Sequence, residues 1–249
     1  MSAPVLQARD GAILTLTINR PEARNALDRA AYDALTQGLT DAAADPGVAA
    51  VILTGAGGHF TAGNDLRDFQ ADRPEGDSPA LRFLRALIDL DTPVIAAVEG
   101  NAVGVGVTLL QHCDFVYVAE GAVLRLPFAA LGLCPEGGSS LLLPQIAGVR
   151  QATEWLLLGE KFGAQAAHEH GLANAVVPAG GALARARETA QSLAAQPHEA
   201  LRVSKALLKR ALRPQLHATL DEEAKQFRAR LRSDEAQAAF ARFFAARKG

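Results

Sequence analysis

The chain has 249 residues, 49% hydrophobic and 21% charged, with a formal net charge of −2 at pH 7. This is an ordinary globular composition with enough apolar residues for a full core, and without a long Lys/Arg block it argues against nucleic acid or an anionic membrane as partner. The only two cysteines, Cys113 and Cys134, lie in apolar settings, so reduced buried thiols are expected rather than a disulfide framework, and no metal-type Cys/His spacing occurs.

No apolar run reaches the ~18 residues that a membrane span needs. Met-Ser-Ala-Pro-Val at the start lacks a basic-then-apolar leader pattern, and the final Arg-Lys-Gly is not a peroxisomal address, so a cytoplasmic location is expected. In chain order, Ala12 to Ile18 alternates apolar and polar residues and predicts a strand. Asn19-Arg-Pro-Glu is a turn, and Asn25-Ala-Leu-Asp28 leads into a helix with Leu27, Ala31, Leu35 and Leu39 on one face. Pro46-Gly47 ends it. Val48 to Thr54 is an apolar strand of the kind covered on both sides. Residues 67 to 79, with Pro74, Gly76 and Pro79, predict a surface loop.

Leu81 to Leu90 predicts a helix, Val94 to Val98 a central strand, and Val107 to Cys113 an apolar helix. Further strands are expected at Phe115–Ala119, Leu124–Phe128 and Ala175–Val177. A loop from Leu131 to Ser140 enters a helix at Gly137-Gly138. Helices follow at Val149–Leu158, Gly163–His170 and about Ala182–Ala195. From Pro197 the pattern is helical only. Leu201, Lys205, Leu208 and Leu212 mark one helix, Pro214 breaks it, His217–Leu231 is a second, and Ser233-Asp234 caps a third carrying Phe240, Phe243 and Phe244. The expected architecture is a layered α/β core over residues 1–196 and a helical region over 197–249.

Two stretches share one device. Val94–Val98 is followed by Gly100, Gly104 and Gly106 and then a helix. Val48–Thr54 is followed by Gly55, Gly57 and Gly58 and then His59-Phe-Thr-Ala-Gly-Asn-Asp-Leu66. A strand, a glycine turn and a helix N-terminus aim free backbone N–H groups at an anion or a developing negative charge. Glycines also permit tight turns and close packing with no ligand. A dinucleotide fingerprint would need glycine at Leu109, so that reading fails.

Asn19-Arg-Pro…Asn25-Ala-Leu, Phe60-Thr-Ala-Gly-Asn-Asp-Leu66, Pro93-Val-Ile-Ala-Ala-Val-Glu-Gly100, Gly104-Val-Gly106, Cys113-Asp114, Leu131-Gly-Leu and Ser233-Asp-Glu together resemble the crotonase superfamily, the enoyl-CoA hydratase/isomerase family. The similarity runs nearly end to end. It implies a spiral of ββα repeats with C-terminal helices that build trimers or dimers of trimers. It also implies an acyl-CoA thioester substrate, whose CoA travels with the substrate, and no separate cofactor. Carried over by position, two oxyanion-hole N–H donors fall on Asn64 and Val105. The adenine and pantetheine contacts fall mainly on backbone around Arg24, Ala26, Ala62, Asp65 and Leu66.

By the same resemblance, the two water-handling glutamates of the hydratases would stand at Thr108 and Phe128, and neither can do acid–base work on water. Glu136, in Cys134-Pro-Glu-Gly-Gly-Ser139, matches the glutamate of the Δ3,Δ2-enoyl-CoA isomerase branch, whose chemistry needs one base and no water. The expectation is an isomerase using Glu136. A hydratase, another chemistry of the family, and a non-catalytic acyl-CoA-binding relative remain open. Glu136 has a plainer reading too, as a first-turn carboxylate favoured by a helix dipole. Asp65 could simply satisfy donors of its own turn, Asn64 could serve a left-handed backbone, and Thr108 could bond only a helix carbonyl. Glu136 is expected to be partly desolvated yet mostly ionised at neutral pH, because the helix N-terminus opposes desolvation.

Overall fold

The computed structural model describes residues 3–69 and 76–245. Its main sheet has six strands in the order β1-β2-β3-β4-β6-β9: β1 (Val5–Asp10), β2 (Ile13–Ile18), β3 (Ala50–Gly55), β4 (Val94–Val98), β6 (Phe115–Ala119) and β9 (Ala175–Val177). β1 and β2 form an antiparallel hairpin, and every later pair is parallel. A second sheet joins β5 (Asn101–Val103), β7 (Val123–Arg125) and β8 (Lys161–Gly163).

Alternation explains why the strand sequences read as unbroken apolar runs. Val51, Leu53, Val94, Ala96, Val98, Val116 and Val118 face the larger core. Their neighbours Ala50, Ile52, Ile95, Ala97 and Tyr117 face a second cluster, closed by Ala182, Ala186 and Ala190 of α7 (Ala182–Ala194). The alanines recur every fourth residue, so a smooth helix face lies directly on the sheet. α1 (Arg29–Ala44) covers the first face. It starts where Asp28 accepts from the Ala31 N–H at 2.8 Å, an N-cap. α2 (Pro79–Asp89) is capped in the same way by Ser78.

Strands of the main sheet alternate with strands of the small one, which gives the repeat of the fold. β4 runs into β5 and then the single turn of α3 (Val105–Thr108); β6 runs into β7 and then α4 (Ser139–Ala147). The stretch after β3 makes the equivalent move. It joins the small sheet only at Thr61, bridged in parallel to Ala102. α5 (Val149–Thr153) continues through a π-helical turn, Glu154–Leu158, and α6 (Ala164–Glu169) leads to β9. Three helices close the chain: α8 (His198–Lys209), α9 (Arg213–Leu231) and α10 (Asp234–Ala245).

Several local expectations are corrected. β1 was missed because five of its six residues are exposed, so it lacks an apolar period; β5 and β8 are only three residues each. The helix expected over Val107–Cys113 is an α-turn followed by a 3-10 turn, Leu109–His112. β7 ends at Arg125, and Phe128 lies beyond it. Pro214 occupies the first turn of α9, where its missing N–H costs nothing, so that helix starts earlier than His217. The helix marked by Leu201, Lys205 and Leu208 is α8, on which Lys205 is 4% exposed and Leu208 is 84% exposed. The lysine faces inward because Asp114 at 2.6 Å and the Thr92 carbonyl at 2.7 Å need a cation there. Of the expected polar loop, 70–75, with Pro74, lies outside the described residues. The remainder is a 3-10 turn, Leu66–Phe69, and the approach to α2.

Candidate active site

The two glycine turns lie side by side. Thr61 donates to the Asn101 carbonyl and accepts from the Val103 N–H, at 2.9 and 3.1 Å. Carrying that parallel register forward sets Gly63 opposite Gly104 and Asn64 opposite Val105. The approach is tight: a Cβ on Gly63 would stand 2.5 Å from the Val103 carbonyl oxygen. Both glycines have positive φ, +87° and +55°, so each supplies the left-handed turn just before the candidate donor. Among the described residues only Arg24 and Asn25 carry positive φ without being glycine. Asn64 therefore does not serve a left-handed backbone, and the β-branched Val105 escapes that strain because Gly104 takes it.

The direction of the N–H groups follows from the ladder. Leu27 donates to the Gly63 carbonyl and accepts from the Asp65 N–H, each at 2.8–2.9 Å, so the Asn64 N–H between them points away from Leu27. Val105 is the first residue of α3, and its N–H is one of the donors a helix start cannot satisfy internally. Among the described residues, no acceptor takes either N–H.

Asn64, Asp65 and Glu136 line one cavity of about 160 Å³. Glu136 is held by Thr108, whose buried hydroxyl donates to Oε1 at 2.5 Å. Gly137 allows this contact, since a Cβ there would meet Thr108 Oγ1 at 2.9 Å. Burial pushes the Glu136 pKa up to about 7; the Thr108 hydrogen bond opposes this and the charge of Glu223 adds to it. The carboxyl is thus balanced between its two states near neutral pH, rather than mostly ionised. The expected dipole assistance is missing because Glu223, not Glu136, occupies the N-terminus of α4.

Asp65 is satisfied by Arg67 at 2.6 Å and Arg20 at 3.4 Å, and the Arg67 hydrogen bonds hold its pKa below the usual carboxylate range. Arg24, Ala26, Ala62 and Leu66 flank the Asn64 turn. The Ala62 N–H is spent on the Arg24 carbonyl at 2.9 Å, and the Ala26 carbonyl accepts from Arg20. Val105 is fully buried and is not on the cavity wall. Phe128 is buried too, with a ring carbon 4.0 Å from the Cβ position of Gly104, so it packs under that turn. Thr108 makes only a long 3.5 Å contact to the Val105 carbonyl; its short bond is to Glu136.

Two residues were not found by sequence reasoning. Tyr32 lies on the cavity wall and donates to Asn64 Oδ1 at 2.6 Å. Burial, then the Glu136 charge, drive its phenol pKa well above the ordinary value. Glu223 lies on the same wall, and its signal was present: Leu216, Leu220 and Glu223 share one face of α9, a carboxylate inside an apolar stripe.

The profile of the enoyl-CoA hydratase/isomerase family matches residues 8–249. Enoyl-CoA delta isomerase 2 of Rattus norvegicus is 34% identical over 241 residues, covering 94% of this chain and 61% of the relative. The chain thus spans about three fifths of the length of that protein and of its human counterpart. The 1,2-epoxyphenylacetyl-CoA isomerase of Escherichia coli is 36% identical, covering 88% of this chain and 85% of its own. The solved structure of Pseudomonas aeruginosa OdaA has a TM-score of 0.94 at 42% identity and covers 97% of this chain and 99% of its own. An enoyl-CoA hydratase/isomerase from Pseudoalteromonas atlantica has a TM-score of 0.93 at 37% identity, covering 98% and 97%. The spiral of two-sheet repeats, the C-terminal helices and the end-to-end sequence match agree, and the chain belongs to the enoyl-CoA hydratase/isomerase family, with the crotonase fold.

Proposed function

We propose that this protein is a Δ3,Δ2-enoyl-CoA isomerase in which Glu136 is the base and the Asn64 and Val105 N–H groups form the oxyanion hole. The observation that carries the reading is Glu136 on a cavity wall with Asn64, tethered by Thr108, with a pKa near 7. A base works best when its pKa lies near the working pH. Ionised Glu136 takes a proton from C2 of a 3-enoyl-CoA. The C–H electron pair moves to the thioester oxygen, giving a dienolate stabilised by donors already in place; losing one such donor costs ~3 kcal/mol in acyl-transfer enzymes. The protonated Glu136 returns the proton at C4, the C3–C4 double bond becomes C2–C3, and the carboxylate is regenerated. The balance closes without water or a separate cofactor, and CoA enters as part of the substrate.

The test is conversion of 3-hexenoyl-CoA to the conjugated 2-enoyl product by purified protein, beside hydration of crotonyl-CoA. Rapid isomerisation and very slow hydration are expected, because by the resemblance Thr108 and Phe128 take the positions of the hydratases' two water-handling glutamates. General acid–base help is worth ~10²–10⁴-fold, so its loss should leave only residual hydration. Efficient formation of 3-hydroxyacyl-CoA overturns the reading; absence of turnover on both favours a non-catalytic acyl-CoA binder. A family-like trimer, or a multiple of three, is part of the same proposal. It is supported by the outward leucines Leu207 and Leu208 on α8. Sedimentation at micromolar concentration tests it, and a clean monomer removes it.

A further inference from the structure

α9 belongs to the C-terminal helices, yet its inner face reaches the candidate base. Leu216 and Leu220 pack with Leu81, Ile88 and Leu142, joining α2, α4 and α9. One turn on, Glu223 is buried as well. A buried carboxylate is tolerated only when its lone pairs are taken up. Here Oε2 accepts from the Gly138 N–H at 2.6 Å, and Oε1 accepts from the Ser140 N–H at 2.9 Å and the Ser140 hydroxyl at 2.5 Å. Both backbone donors are orphans of the α4 N-terminus, where the helix dipole favours an anion.

The turn so gripped is the one that carries Glu136. The Glu136 carbonyl accepts from the Ser139 hydroxyl at 2.7 Å, and Gly137 and Gly138 are consecutive left-handed residues. Two such residues have many alternative conformations unless something outside selects one. On one side Gln111 donates to the Gly137 carbonyl at 2.7 Å, with His112 Nε2 also 2.7 Å away. On the other side α9 closes in, so far that a Cβ on Gly138 would stand 2.3 Å from Leu216 Cδ1.

We propose that Glu223 is a positioning residue for Glu136: its carboxylate clamps the Gly137–Gly138 turn from α9, and thereby fixes the base against Thr108 at the cavity wall. This rests on Glu136 being the base. Glu223 is not a second proton carrier, because both its oxygens are engaged by the turn. Its charge has a second effect, through space, of disfavouring ionised Glu136. The other titratable groups against Glu136 are Tyr32 from α1 and Cys134 on its own loop, both shifted toward their neutral forms, and His112 behind Gly137, driven by burial to about 3 and so neutral. Among the described residues, the charged groups of the facing walls are Arg29, Asp65, Asp68, Asp77, Arg82 and Arg228.

The experiment is the pH profile of kcat/KM, with kcat and KM resolved, on 3-hexenoyl-CoA for wild type, Glu223→Gln and Glu136→Gln. Glu223→Gln removes the negative neighbour but keeps the shape. Ionised Glu136 then costs less, so the midpoint of the rising limb should move to lower pH, by about threefold or more in ionisation constant. At high pH kcat should fall ~5–10-fold with KM within about twofold, because an amide NH₂ cannot accept from the turn. A role confined to holding the fold would lower Tm and leave the midpoint where it was, and that result overturns the proposal. Should Glu223→Gln fail to fold, Glu223→Asp carries the test. Withdrawing the anion by one methylene should lower kcat severalfold and move the midpoint the same way; wild-type values of both overturn it. If Glu136→Gln retains the rising limb, the assignment of the base fails. If Glu136→Gln abolishes turnover while Glu223→Gln keeps kcat and midpoint, only the clamp fails.

Discussion

Two turns bring a carboxylate to the wall of one cavity, and their surroundings treat it in opposite ways. Asp65 follows Asn64 and meets two guanidinium groups, Arg67 at 2.6 Å and Arg20 at 3.4 Å, which favour the anion. Glu136 follows Pro135 and meets one hydroxyl in an enclosed setting, with Glu223 adding like charge, so its pKa rises to about 7. Distance to the candidate oxyanion turn would have favoured Asp65, which is adjacent to it in sequence. Environment favours the proposed base instead: a doubly paired carboxylate held as the anion suits an anchor, whereas one balanced between its states can take and return a proton.

The comparison breaks most decisively at Glu136 itself. Glu136→Gln keeps the shape and can still accept from Thr108, but cannot accept a proton at C2. Isomerase kcat should fall by ~10²-fold or more with acyl-CoA affinity nearly unchanged. Steady-state kinetics beside a binding titration measure both. Stability gives a control with a definite sign. An acid whose folded pKa is raised destabilises the fold as pH climbs past its unfolded value of about 4.3, so the Gln variant should be at least as stable as wild type at pH 8. Wild-type turnover by Glu136→Gln would sink the mechanism.

A smaller effect is expected one atom further out. Thr108→Val keeps the volume and removes the hydroxyl that favours ionised Glu136. The pKa should therefore rise further, and the rising limb of kcat/KM should shift to higher pH. Activity at pH 7 should drop roughly three- to tenfold, with much of it recovered at pH 8.5, the signature of a shifted ionisation rather than a lost base. A uniform loss at all pH values would place the role of Thr108 in packing alone.

That glycine turns follow the strands was legible in the local sequence, whereas the resemblance alone pointed to Asn64 and Val105; in the fold the glycines of positive φ just before them are Gly63 and Gly104. The central strands were legible too, since burial on both faces leaves no polar alternation. What stayed hidden came from contacts between distant segments. Nothing near Ser139 says that the N-terminus of α4 will be taken by Glu223, and so the dipole was credited to Glu136. Tyr32 gives no signal in the sequence, because its partner Asn64 arrives from another turn of the spiral. The inward turn of Lys205 depends on a distant partner too: Asp114, which draws it inward, follows the 3-10 turn after α3.

The least change in the rate profile is expected at the other carboxylate. Asp65→Asn removes the anion from Arg20 and Arg67 while keeping the volume. If Asp65 is an anchor, the pH midpoint of kcat/KM stays at its wild-type position near 7, because the group that titrates there is Glu136. The loss should appear in stability. Arg67 is 69% exposed, so its share is screened, and about 1–2 kcal/mol is expected in all. For a chain of this size that lowers Tm by about 2–8 °C. The pH dependence has a fixed sign: the folded pKa of Asp65 lies below its unfolded value of about 3.9, so its contribution is fully present above that pH and fades as the pH falls through the folded pKa. Wild type and Asp65→Asn should accordingly differ most in thermal unfolding at pH 6–8 and converge as the pH falls through the folded pKa. Loss of the rising limb in Asp65→Asn with an unchanged Tm would reverse the roles assigned to the two carboxylates, making Asp65 the titrating group.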